Sequence, residues 1–187
     1  CGIAGTINSN FSYESVIQSM GHRGPDEHNG YKYRNVNFFH LRLAILDIAC
    51  GQQPMHLDEK YTIIFNGEIY NHAEIRQQFN IKGNTSSDTE TLLLLYDRFG
   101  SDFLDYLDGM FAFAIHDKLK NEIFIARERA GKKPFYYYKD EKKFAFASEL
   151  NCLKEMVSPQ IEPQHFYQYL RLGSLYRQFT PYKNVTE

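Results

Sequence analysis

Tryptophan is missing from this chain of 187 residues, and cysteine is scarce, with only three. Cys1, Cys50 and Cys152 form an odd set without CxxC spacing. That fits neither a disulfide framework nor a zinc site, and it points to a reducing compartment. The seven histidines show no HExxH pattern and no pairing with cysteine, so no metal is expected. No apolar run is long enough to span a bilayer; the longest lie around Leu92–Tyr96 and Met110–Ile115. An excess of one charge is also lacking. A formal net charge of −2 gives no support to a nucleic-acid or membrane-surface partner. No signal peptide is expected, and no internal repeat or low-complexity segment is seen. A soluble, cytoplasmic protein is expected.

What is present is a hydrophobic fraction of 43% with fourteen Tyr and fifteen Phe. That is enough for one large domain with a two-layer core, and aromatics in such number favour pleated strands. The chain opens on Cys1-Gly2-Ile3-Ala4-Gly5. Because translation begins with Met, Cys1 is expected to be a processed terminus. A cysteine at that position carries a thiol and an α-amine on one carbon, which places a nucleophile beside its own base. Taken alone, Cys1 could equally be a ligation scar, a lipidated residue or a small buried side chain.

Along the chain, Cys1–Asn8 reads as a strand and Tyr13–Met20 as a short helix capped by Ser12. His22–Asp26, HRGPD, is turn chemistry. Val36–Leu46 reads as a strand or strand pair carrying Arg42 in apolar surroundings. Arg42 is either a rim residue snorkelling to water or a guanidinium fork held for a carboxylate. Asp47–Met55 reads as a loop. The strand Tyr61–Phe65 meets Asn66-Gly67, a strong hairpin signal. The next residues, however, look like a helix start with Asn71 as cap and Glu74 reaching back, so the pair is expected at a loop tip. Ser87–Glu90 repeats the capping pattern before a helix over Thr91–Phe99 that Gly100 closes. After a short helix at Phe103–Leu107, closely spaced strands from Gly109 to about Ser148 predict one antiparallel meander. Helices are expected over Glu149–Glu155 and Gln164–Leu172. The order argues an α+β fold.

Read together, these stretches resemble one family. Cys1–Gly5, HRGPD, RLAILD with GQQPM after it, FNGEIYN, SDTE, LDGMFAFAIHD, and RERAGKKPFYYY followed by FASE occur in its order and spacing. The chain is similar throughout to the amino-terminal glutaminase domain of glutamine-dependent asparagine synthetases, class II amidotransferases of the N-terminal-nucleophile type. Aminosugar and purine-pathway amidotransferases share the leading cysteine but fit the RGPD, GQQPM and FNGEIYN combination less well.

The resemblance implies a four-layer αββα sandwich of two antiparallel sheets flanked by helices. It implies that Cys1 attacks the side-chain amide of L-glutamine, with its own amine as base and then acid. Asn66 and the Gly67 backbone N–H would form the oxyanion hole. Arg42 would grip the substrate carboxylate, helped by backbone near Ile45 and Leu46, and Glu68 and Asp88 would lie near its α-ammonium. Cys50, Cys152 and the histidines read as packing or surface residues. Two departures stand out: Glu128 where the family usually has Asp, and Phe39 where Gly is usual. No SGGxDS-like pyrophosphate loop is present, so ATP and Mg are expected only in an absent synthetase domain and no cofactor in this one. The expected division is a glutaminase domain over residues 1–172, with residues 173–187 beginning a linker. The expected partner is that C-terminal synthetase domain.

Overall fold

The computed structural model describes residues 1–45, 50–175 and 178–187. In chain order the first half forms β1 (Gly2–Ile7), α1 (Tyr13–Met20), β2 (Glu27–Tyr33), β3 (Val36–Arg42), β4 (Met55–Leu57), β5 (Tyr61–Ile69) and α2 (His72–Gln78). The second half forms α3 (Asp88–Phe99), β6 (Gly109–Asp117), β7 (Glu122–Arg127), β8 (Tyr136–Lys139), β9 (Phe144–Ala147), α4 (Leu150–Val157), α5 (Pro163–Leu172) and β10 (Val185–Thr186). The strands make two antiparallel sheets, one ordered β10-β8-β9-β1-β3-β2 and the other β4-β5-β6-β7.

Period-two alternation sorts the side chains into layers. Ile3, Phe38, Ile64, Ala112, Ala114 and Phe146 fill the space between the sheets. Their sequence neighbours Ala4, Phe39, Leu41 and Ala147 face outward onto Val16 and Met20 of α1 and Leu153 of α4. On the far side Ile63, Phe65 and Phe113 pack against Leu92, Leu93 and Leu95 of α3. Each fully buried Phe or Ile contributes about 1.5–3 kcal/mol. The result is the four-layer αββα sandwich. Phe39, one of the two departures, stacks at 4.4 Å on Tyr13 of α1. It therefore fills an outer layer rather than the inner one.

Several local expectations change. The strands after Gly109 do not form one meander: β6 and β7 belong to the four-stranded sheet, β8 and β9 to the other. Alternation reveals strands but not which sheet each joins. The crossing is made by Glu128–Phe135, where Gly131 takes φ +64° and Phe135 drops into the inter-sheet layer. Asn66-Gly67 is no loop tip either. β5 continues to Ile69, with Asn66 opposite Ala112, Gly67 opposite Phe111 and Glu68 opposite Met110. A nine-residue β6 offers a partner along that whole length.

Ser12 and Ser87 cap their helices as expected. Asn71 makes no side-chain cap; it receives Asp108 N–H and donates to the Tyr106 carbonyl, pinning the approach to β6. The residues expected to begin a linker return to the sheet. Val185 and Thr180 are buried, β10 pairs with β8, and Glu187 reaches Arg127 at 3.1 Å.

Candidate active site

One cleft, at the end of the sandwich where β1 begins, gathers Cys1, Arg42, Ile45, Asn66, Gly67, Glu68 and Asp88 among its walls. Leu46, the remaining expected site residue, lies outside the described residues. The pleat explains the gathering. Inner-layer positions on β3 are Phe38, His40 and Arg42; on β5 they are Ile64, Asn66 and Glu68. Cys1 continues the inner series of Ile3, since residues two apart share a face. Polar side chains thus emerge from both sheets into the same gap.

Cys1 is held from several sides. Leu43 N–H donates to its Sγ at 3.4 Å, and the Leu43 carbonyl lies 3.6 Å from that sulfur. Arg23 Nε donates to the Cys1 carbonyl at 3.0 Å while its NH1 meets Glu149. Asp26 accepts Ala44 N–H at 2.8 Å and so fixes the backbone beside the sulfur. The α-amine is lowered from 8.0 to about 6, first by burial and then by the cations of Arg23 and Lys133, with Asp26 opposing. At neutral pH it is therefore mostly an uncharged base.

The Arg42 side chain is buried, which removes the snorkelling alternative, and it meets Glu27 at 2.7 Å. Asn66 is buried, and its Nδ2 has no hydrogen-bond partner among the described residues. An orphaned amide donor in a polar cleft is an uncommon state, because buried polar groups are normally satisfied. Asp88 accepts Ile69 N–H at 3.0 Å. Burial raises its carboxyl pKa, an effect the bonds from Ile69 and Thr89 N–H oppose.

Residues not singled out in the sequence also line or brace this cleft: Leu43, Gln53 and Lys133 on its walls, with Arg23, Asp26 and Glu27 behind them. The signal for Arg23 and Asp26 lay in HRGPD, for Leu43 in RLAILD, for Gln53 in GQQPM and for Lys133 in RERAGKKP, while Glu27 directly follows HRGPD. The Glu128 departure forms a closed turn, its Oε1 accepting Lys133 N–H at 2.9 Å and its own N–H meeting the Phe111 carbonyl. Among the described residues no His, Cys, Asp and Glu cluster could hold a metal. None of their helices is long and apolar enough to cross a membrane.

Comparison with known proteins places the chain in a family. A glutamine amidotransferase domain profile matches residues 1–187. The chain is 38% identical to a glutamine-hydrolysing asparagine synthetase of Bacillus subtilis over 82% of its own length and 27% of the relative's. It is 40% identical to asparagine synthetase B of Escherichia coli over 72% of its length and 25% of that protein. It thus spans about a quarter of each of these relatives. Among solved structures, the glutamine phosphoribosylpyrophosphate amidotransferase of Bacillus subtilis shares the fold, with a TM-score of 0.65 at 21% identity over 87% of this chain and 45% of that one. The chain belongs to the glutamine amidotransferase domain family.

Proposed function

We propose that this domain hydrolyses the side-chain amide of L-glutamine to glutamate and ammonia through a thioester on Cys1. The observation that carries the reading is a single cleft holding a thiol, a terminal amine whose pKa is about 6, and the buried Asn66 Nδ2, which has no partner among the described residues. The uncharged amine takes the thiol proton as Sγ attacks the amide carbon, then returns it to the departing ammonia. Charge gathering on the amide oxygen is met by Asn66 Nδ2 and Gly67 N–H. One such donor is worth about 2.7–4 kcal/mol in known cases. Water then cleaves the thioester.

Glutamine also carries a carboxylate and an ammonium. Arg42 serves the first as a fork already steadied by Glu27, with backbone near Ile45 beside it. Glu68 and Asp88 serve the second. Because the relatives compared are about three times as long, we further infer that the ammonia feeds an asparagine-synthetase-type domain carried on the full-length protein.

The test is release of glutamate from glutamine by this chain. Cys1→Ala should abolish it and also stop labelling by diazo-oxo-norleucine, with an unchanged circular dichroism spectrum. Asn66→Ala should lower kcat by about 10²–10³-fold. Turnover surviving in Cys1→Ala would remove the nucleophile from the scheme.

A further inference from the structure

We propose that His40 and Gln53 are positioning residues for this hydrolysis, clamping the Phe65 peptide groups that aim Asn66 and Gly67 at the reacting amide. The inference rests on the oxyanion role proposed above for those two residues. Its starting point is a gap in the sheet. β4 pairs with β5 only as far as Met55 opposite Ile63, and the chain then leaves through Pro54, which has no N–H to offer. Beyond Ile63 that edge of β5 has no neighbouring strand among the described residues.

In an antiparallel pair, alternate residues turn their N–H and C=O to the same edge. Phe65 donates its N–H to Gln53 Oε1 at 2.6 Å, and its carbonyl is met by His40 Nε2 at 3.1 Å. Ile69 donates to Asp88 on the same edge. The odd-numbered residues therefore face away from β6, and Gly67, between them, finds no side-chain acceptor among the described residues. Two side chains replace the missing strand at Phe65, a third at Ile69, and the one N–H left open is that of Gly67.

Both clamps are buried, and each ties β5 to something that matters. His40 stands on β3 opposite Ile3, so its bond links the nucleophile's strand to the strand of Asn66 across the inner layer. A carbonyl can only accept, which places the His40 proton on Nε2 and leaves Nδ1 as a bare acceptor without a partner among the described residues. Gln53 passes its other end to Thr89 of α3, the neighbour of Asp88. An apolar side chain at either position would fill the space yet free the peptide to tilt, and oxyanion donors must sit within a few tenths of an ångström of their target.

The experiment compares steady-state glutamine hydrolysis by His40→Met, which lacks the donor, with His40→Gln, whose amide N–H reaches a similar point. We expect kcat to fall roughly 10–100-fold in His40→Met with the KM for glutamine little changed, and His40→Gln to recover most of it. Combining His40→Met with Asn66→Ala should be little worse than Asn66→Ala alone, since both act on one donor pair. Equal kcat in native and His40→Met protein, equal damage in Met and Gln variants, or losses that multiply would overturn the proposal. Should His40→Met fail to fold, Gln53→Met against Gln53→Glu decides in the same way, Glu retaining the acceptor for Phe65 N–H. An Asn66→Ala variant of undiminished kcat would instead defeat the underlying oxyanion reading.

Discussion

The Cys1 amine is where a single ionisation decides whether the proposed chemistry runs. Its pKa is held near 6 by burial and by Arg23 and Lys133. Only the uncharged form accepts the thiol proton, so activity is present above that value and lost as pH falls through it. A kcat/KM profile for glutamine hydrolysis should bend near pH 6 rather than near 8, and Lys133→Met should move the bend upward by removing a cation that opposes protonation. A bend unmoved by Lys133→Met would remove that cation from the account. Arg42→Lys keeps the charge but not the fork; it should raise the KM for glutamine several-fold with a smaller effect on kcat. At this scale the residue types were legible: Cys1, Arg42, Asn66, Gly67, Glu68 and Asp88 line one cleft. His40 and Gln53 were not, because their meaning lies in which backbone atoms they meet across two layers. A histidine in an apolar strand looks like packing until Phe65 is found opposite it.

At the scale of elements, β5 carries the most consequence. A Cβ on Gly67 would stand 2.2 Å from the Met110 carbonyl and 2.8 Å from Phe111 Cα. Gly67→Ala must therefore push β6 away along the stretch that carries Asn66. We expect a loss of about 1–3 kcal/mol in urea unfolding together with loss of turnover; a variant of native stability would mean that the strands yield without cost. The elements were largely readable from their own chemistry. Serine caps and apolar periodicity marked α1 and α3, and a glycine at φ +59° ends α3. The length of β5 was not, because Asn-Gly is a turn signal wherever no partner strand stands opposite, and β6 lies some forty residues away. The same non-locality hid the change of sheet between β7 and β8.

Taken whole, the molecule keeps several imidazoles neutral by enclosing them. His40 is held at about 3, chiefly by burial, and His56 and His116 are also lowered by burial and the nearby Lys118. The unfolded chain binds protons at these groups near the ordinary 6.5. Between there and the folded values it therefore takes up more protons than the native state. Stability should rise with pH across that window, by at most about 1.4 kcal/mol per pH unit for each group. The urea midpoint should fall steadily from pH 7 to pH 4, less steeply in His40→Gln. A flat profile would contradict neutral burial. The layered architecture was foreseeable only through resemblance, since composition and alternation admit other α+β arrangements. The early end of β4 has one more consequence. Among the described residues it leaves the Gly67 N–H as a ladder donor that a neighbouring peptide would ordinarily satisfy. The carbonyl oxygen of a carboxamide is an acceptor of the kind such a peptide would present, so the proposed oxyanion donor would be inherited from the sheet itself.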